Sequence, residues 1–282
     1  MRIATPAKIN LTLEVLGQRP DGFHELATWM IPIGLYDELA MELASEMTYE
    51  SNLSSPRFDR SNLILRAIER YQEETGHTAA YRIDLRKEIP IGAGLGGGSS
   101  DAAAALLLLN QLHQKPLTDE KLLGLAAQLG SDVPFFLKGR AAWCTGRGEK
   151  MEIREFPQDR WVVLIKPEFG VSTAAAYSAY KTLPTEQKRG QTKKTEWGLL
   201  RNDLEQPVFQ KYLILPEIKS WLEQQAETEV ALMSGSGSTM FAVVKSAADG
   251  EKVRDRFSLF FGLKFWVSVC RLNPTTKVIA ER

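Results

Sequence analysis

This sequence predicts an α+β chain of two domains, on three observations. Strand-type alternation crowds the early part, helix-spaced apolar residues fill the middle, and strands and helices alternate near the end. A length of 282 residues also suits two domains better than one. The expected units are 1–157 and 158–282, each of two layers.

Ile9, Leu11, Leu13 and Val15 alternate with polar residues, the pattern of a strand with one buried face. Gln18 to Gly22 (QRPDG) reads as a turn. Leu26 to Ile33 and Leu39 to Leu43 read as two further strands, and 44–60 as polar and irregular. Leu63, Ala67, Ile68 and Tyr71 have helical spacing, which Gly76 should end. Tyr81, Ile83 and Leu85 alternate again and lead towards Pro90. Ala102 to Leu109 are strong helix formers, with Ser99, Ser100 and Asp101 before them as candidate caps. Thr118 opens another helix and Gly130 closes it; strands follow near 140–145 and 150–155.

Beyond these, Trp161 to Lys166 is a strand and Ser172 to Lys181 a helix. The basic stretch QKRGQTKKTE (187–196) reads as an exposed, solvated loop. Residues 203–226 carry helical spacing broken at Pro216. Val230 to Met233 and Met240 to Val244 are strands on either side of SGSGS, Ala247 to Phe257 is a helix, and Phe265 to Cys270 is the last clear strand.

Lysine plus arginine and aspartate plus glutamate both number 35, so no global field draws in nucleic acid or an anionic membrane. Cys144 and Cys270 lie in apolar runs and read as reduced core thiols. No run reaches the ~18 apolar residues of a membrane span, and the start lacks a signal-peptide core. A soluble, cytoplasmic protein is expected, with a small-molecule partner and no nucleic-acid or membrane partner. Monomer and homodimer both stay open.

The chemistry centres on Pro90, Ile91, Gly92, Ala93, Gly94, Leu95, Gly96, Gly97, Gly98, Ser99 and Ser100. A glycine-rich loop that feeds a helix start offers free N–H donors and a partial positive charge, which makes an anion site, usually for phosphate. It is no Walker A loop, because no Gly-Lys-Ser/Thr is present. A Rossmann loop would leave a strand directly, whereas Pro90 interrupts the approach. A protein-kinase loop needs an H-R-D segment, which is missing. Phosphoryl transfer also needs a carboxylate for the hydroxyl proton and a cation near the moving group. Asp132 in GSDVPFF is the best carboxylate, although alone it reads as a cap. Lys8 in TPAKIN is the cation, although alone it reads as a surface residue. Gly235, Ser236, Gly237, Ser238 and Thr239 form a second glycine segment, which alone would be a hairpin turn.

PxGxGLGGGSS before an alanine-rich helix resembles the phosphate loop of the GHMP small-molecule kinases. PAKIN, that loop, GSDVP and SGSGST follow in the family's order, and the likeness runs from Pro6 to Phe241. The resemblance implies an N-terminal ribosomal-protein-S5-domain-2-like α/β sandwich and a C-terminal ferredoxin-like domain. It implies ATP and Mg2+, with Pro90 to Ser100 around the nucleotide phosphates and Gly235 to Thr239 facing them. Lys8 and Asp132 become the catalytic pair, and Asn10 orients the acceptor hydroxyl. PAKIN with PDGFHE points within the family to a cytidylyl sugar-alcohol diphosphate as acceptor. Phe23, where the family usually has tyrosine, then stacks on the cytosine, His24 meets its edge, and Tyr177 or Tyr180 closes the sandwich. Alone, His24 reads as a turn residue and the tyrosines as helix packing. The magnesium ligands stay open, with Ser99 or Ser100 able to supply one. Asn202, Asp203 and Glu205 match a further family segment but read better as a helix cap with acids in its first turn. The alternatives are a homoserine or phosphomevalonate kinase, or a binding protein that kept the fold and lost turnover.

Overall fold

The computed structural model describes residues 1–54 and 57–274. Strands β1 (Arg2–Gln18) and β2 (His24–Ala44) form a long antiparallel hairpin, with Arg2 opposite Ala40 and Gln18 opposite His24. The two strands expected within 26–43 are therefore one. Tyr36 and Asp37 carry no apolar alternation, but they pair with Pro6 and Thr5 of β1, and the ladder keeps the chain extended through them.

After β3 (Thr48–Ser51) come α1 (Leu63–Thr75), β4 (Ala80–Arg86), α2 (Gly97–Leu112), α3 (Asp119–Leu129), α4 (Val133–Lys138), β5 (Ala142–Gly146) and β6 (Lys150–Ile153). These strands make a six-stranded sheet in the order β3-β4-β2-β5-β6, with β1 also paired to β2. β3 lies within 44–60, expected to be irregular. It is four residues long and runs parallel to β4, too short for alternation to show. The helices bury their apolar sides against this sheet, with Tyr71, Leu106 and Phe135 meeting Leu39, Tyr81 and Ile83. Asn62 and Thr118 cap α1 and α3 through their side chains.

The second half contains β7 (Trp161–Lys166), α5 (Thr173–Thr182), β8 (Lys193–Thr195), β9 (Gly198–Leu200), α6 (Glu205–Lys211), α7 (Ile214–Glu223), β10 (Thr228–Met233), β11 (Met240–Val244), α8 (Ala247–Phe261) and β12 (Trp266–Arg271). Its four-stranded antiparallel sheet has the order β10-β11-β7-β12, the ferredoxin-like arrangement. Three expectations shift here. The helical stretch breaks at Tyr212, and Pro216 sits in the first turn of α7, where no N–H is needed. α8 runs on to Phe261, where Gly262 ends it at φ +79°. The basic stretch 187–196 includes β8, which forms a hairpin with β9.

The two sheets meet through β1. Ile9 and Leu11 of β1 and Ile31 and Ile33 of β2 pack against Val162, Leu164, Leu232 and Phe241 of the second sheet. Just after β12, Leu272 bridges to Ile33, and the Asn273 N–H donates to Pro32 O at 2.8 Å. That contact fills the stretch of the β2 edge between its pairings with β5 and β4.

Candidate active site

β1 sets the site by alternation. Its odd residues Ala7, Ile9 and Leu11 face the inter-sheet core. Its even residues Lys8, Asn10 and Thr12 are buried as well, at 3%, 3% and 1% exposure. A polar strand face this deeply covered must be hydrogen-bonded, and it is. Lys8 Nζ donates to Asn10 Oδ1 at 2.6 Å and to Gly94 O at 2.9 Å. Asn10 Nδ2 donates to Thr28 Oγ1 at 2.8 Å, and that hydroxyl donates to Thr12 O.

The glycine loop lies along the second edge of β1, where the Lys8 N–H donates to Leu95 O at 2.9 Å. Gly96 is the N-cap of α2, in the left-handed region at φ +75°. The first helical bond runs from the Ser100 N–H to Gly96 O. The N–H groups from Gly97 to Ser99 are thus not consumed by the helix, as phosphate binding requires. Ser99 and Ser100 are first-turn residues, not caps, because glycine takes the strained cap position ahead of them. Asp101 is not a cap either. It is 2% exposed, accepts from Thr5 Oγ1 at 2.9 Å and pairs with Lys87 Nζ at 2.8 Å. Lys87 also pairs with Asp37, and Asp37 Oδ1 accepts the Glu88 and Ile89 N–H groups. Burial alone would lower the Lys87 pKa, but Asp101 and Asp37 reverse this and raise it. Burial pushes the Asp101 carboxyl up against that pull.

From the second sheet, the segment after β10 interlocks with the loop. Ser234 Oγ donates to Gly94 O at 3.0 Å and the Thr239 N–H to Ala93 O at 3.2 Å. A Cβ on Gly94, at φ +75°, would strike the Ser234 backbone and come within 2.9 Å of Gly237 O, so glycine is demanded there. Gly235 and Ser236 line the resulting cleft. Ser238 and Thr239 are fully buried behind it, Ser238 Oγ donating to Phe169 O at 2.6 Å.

Asp132 precedes α4, and Pro134 falls in the first turn of that helix. The Asp132 carboxylate makes no cap bond; it turns to the cleft, with Oδ2 at 3.5 Å from Lys8 Nζ. Its side chain is 31% exposed, against 4% for the side chain of Lys8. Lys8, Asn10, Asp132, Pro90 to Ser99, Phe23, His24 and Tyr177 all line one cleft of about 880 Å³. Ser100 lies beneath it, with a buried Oγ that has no hydrogen-bond partner among the described residues.

At the other end of the cleft, the His24 ring stacks on Tyr177 at 5.0 Å and 22°, and meets Tyr180 edge-on at 6.0 Å. Tyr180 is 6% exposed and does not line this cleft, whereas Tyr177 does. Phe23 is 53% exposed, and the Arg147 guanidinium covers its ring at 4.8 Å. Burial, then the charges of Lys181 and Lys188, holds His24 below its ordinary pKa, so its imidazole is neutral at pH 7.

Of the cap with first-turn acids expected at Asn202, Asp203 and Glu205, only Glu205 falls in the first turn of α6, and all three act as braces. Asn202 Nδ2 donates to Met233 O and Gly235 O, both at 2.7 Å. Asp203 accepts from the Val15 and Gly190 N–H groups, and Glu205 pairs with Lys219 at 2.6 Å. The N-cap of α6 is Leu204, which has no side-chain oxygen to offer. Sequence reasoning missed the roles of Arg147, Lys181 and the Asp37–Lys87–Asp101 cluster, since their partners lie far away in the chain. Among the described residues no cluster of three or more His, Cys, Asp or Glu side chains could hold a metal ion by itself.

The description "GHMP kinases N terminal domain" matches residues 62–140, and "GHMP kinases C terminal" matches 193–262. A 4-diphosphocytidyl-2-C-methyl-D-erythritol kinase of Methylacidiphilum infernorum is 47% identical over 84% of this chain and 84% of its own. The chloroplastic enzyme of that name from Arabidopsis thaliana is 36% identical over 86% of this chain and 67% of its own. A crystal structure of 4-(cytidine 5'-diphospho)-2C-methyl-D-erythritol kinase superposes with a TM-score of 0.80 at 32% identity, covering 97% of this chain and 100% of that one.

Proposed function

Because the chain belongs to the 4-diphosphocytidyl-2-C-methyl-D-erythritol kinases of the GHMP superfamily, we propose how its own residues carry that reaction. The γ-phosphoryl group of ATP passes to the 2-hydroxyl of 4-diphosphocytidyl-2-C-methyl-D-erythritol, giving the 2-phosphate and ADP in the non-mevalonate route to isopentenyl diphosphate. The observation that carries the assignment of roles is that one ammonium, Lys8 Nζ, reaches both the phosphate loop at Gly94 O and the Asp132 carboxylate.

The Gly97 to Ser99 N–H groups hold the nucleotide phosphates at the α2 start. The acceptor oxygen attacks the γ-phosphorus, the bond to the β-bridging oxygen breaks, and ADP leaves with that electron pair. The hydroxyl proton passes to Asp132, whose carboxylate faces the cleft. Lys8 offsets the negative charge that develops between donor and acceptor, and Asn10 aligns the hydroxyl from the same strand face. Phe23 and Tyr177 hold the cytosine by stacking, and neutral His24 hydrogen-bonds its edge.

Magnesium with its nucleotide typically keeps several waters and takes few protein ligands. The cleft suits that habit, since Ser99 offers a hydroxyl on its wall and Ser100, beneath it, a buried hydroxyl without a partner among the described residues. A magnesium ion held there, with the Ser99 hydroxyl within reach, would shield the negative charge of the nucleotide phosphates. The two cysteines are free and buried, which supports a reducing compartment such as the cytoplasm. No described helix is long and apolar enough to cross a membrane.

A coupled ADP-release assay with the cytidylyl alcohol, homoserine and phosphomevalonate tests the reading. Turnover is expected with the cytidylyl alcohol alone. Faster turnover with either of the others would overturn it.

A further inference from the structure

Four cationic side chains line the cleft: Lys8, Lys87, Arg147 and Lys181. Two are already committed. Lys8 is held by Asn10, Gly94 and Asp132, and Lys87 by Asp37 and Asp101. Arg147 and Lys181 make no ion pair among the described residues. Asp21, which feels the Arg147 charge, already pairs with Arg19 at 3.2 Å.

The free pair sits around the aromatic end of the cleft. Arg147 belongs to the turn between β5 and β6 and lays its guanidinium over Phe23. Lys181 lies in the last turn of α5, four residues beyond Tyr177 and so on the same helix face, and its charge reaches His24. One cation therefore comes from the first half of the chain and the other from the second, next to the two rings that stack on the base.

With the base at Phe23 and Tyr177 and the acceptor hydroxyl at Asp132, the connecting diphosphate must cross the cleft between them. Two charges on that diphosphate cannot lie in a half-closed cleft without counter-charge. We propose that Arg147 and Lys181 form a two-sided clamp for the diphosphate of the acceptor, and so select a nucleoside diphosphate ester over an uncharged nucleoside. Arg147 has a second task at the same point. Its flat guanidinium braces Phe23 while its N–H edge stays free for a phosphate oxygen, which an ammonium cannot do equally well. The inference rests on the cytidylyl-kinase reading given above.

The test is calorimetry with CDP and with cytidine, in saturating ADP and magnesium to block the ATP site. It compares wild type, Arg147→Gln, Arg147→Lys, Lys181→Gln and the double glutamine variant. Wild type is expected to bind CDP at least about tenfold tighter than cytidine, and each glutamine variant to lose about five- to thirtyfold for CDP. Cytidine should weaken less than about threefold. Arg147→Lys should keep part of the CDP preference. Equal losses for CDP and cytidine would reduce Arg147 to a prop for Phe23 and overturn the clamp, and so would unchanged CDP binding in the double variant. Wild-type protein that binds neither ligand would instead overturn the cytidylyl reading itself.

Discussion

The Lys8 ammonium and the Asp132 carboxylate lie 3.5 Å apart but differ sharply in cover, at 4% and 31% exposure. The lysine is locked among Asn10 and Gly94, while the aspartate keeps an open side towards the cleft. A group that must meet a substrate hydroxyl is the open one. Asp132→Asn should therefore lower turnover by about 10²–10⁴ at saturating substrates. Near-native turnover in a steady-state assay would remove Asp132 as the base.

Lys8→Ala removes the charge and leaves Asn10 Oδ1 without its donor, while Gly94 O keeps the Ser234 hydroxyl. Turnover should fall by about 10² or more, with ATP affinity changed only a few-fold. Equal falls in turnover and affinity, measured by kinetics and nucleotide titration, would assign Lys8 to nucleotide binding instead.

Phe23→Ala should weaken the cytidylyl substrate by about 1–3 kcal/mol, the value of one base–aromatic stack, and leave the KM for ATP unchanged. The Phe23 ring is 53% exposed, so little stability should be lost with it. An unaltered KM for the acceptor would take Phe23 out of the site.

Among the described residues Lys87 is the sole cation paired with Asp37 and Asp101, and all three are buried. Lys87→Met leaves two carboxylates buried side by side, which should cost about 3–5 kcal/mol in urea unfolding. Adding Asp101→Asn should recover part of that loss. A single variant with wild-type stability would mean that water reaches the cluster.

His113 follows α2, stacks on His77 at 3.9 Å and shares a 2.8 Å hydrogen bond with the Tyr81 hydroxyl. Burial first, then His77, lowers its pKa below 6.5. The folded state thus binds a proton less readily than the unfolded chain. Its contribution is complete above pH 6.5 and is lost as pH falls below that value. Melting should move down between about pH 7.5 and about pH 5.5, and His113→Gln should flatten that slope. An unchanged slope in the variant would place the effect elsewhere.

Much of this was legible before any coordinates, and the exceptions have physical reasons. The glycine loop before α2, the helix starts at Thr118 and Ser172 and the Gly76 stop are local chemistry, so short spacing reveals them. Lys8 and Asn10 stood out through the family likeness, because alternation assigned their side of β1 to solvent when it lies under the site. The continuity of β2 through Tyr36 and Asp37 comes from its partner strand, which no window of sequence contains. The same holds for Asn202, whose carbonyl partners belong to Met233 and Gly235. Arg147 was unreadable for a different reason, since only the fold brings the turn between β5 and β6 over Phe23.

The contact of Leu272 and Asn273 with Ile33 and Pro32 bears on how the chain is made. The N-terminal sheet leaves a gap in one edge of its longest strand that Leu272 and Asn273 fill. While the ribosome is still adding β12, that edge carries unpaired amide and carbonyl groups and the adjoining apolar surface lies bare. Neither half can reach its final form ahead of the other, so the first sheet stays incomplete until Leu272 and Asn273 have been made. A nascent chain stalled before Leu272 would be a client for chaperones rather than a finished first lobe.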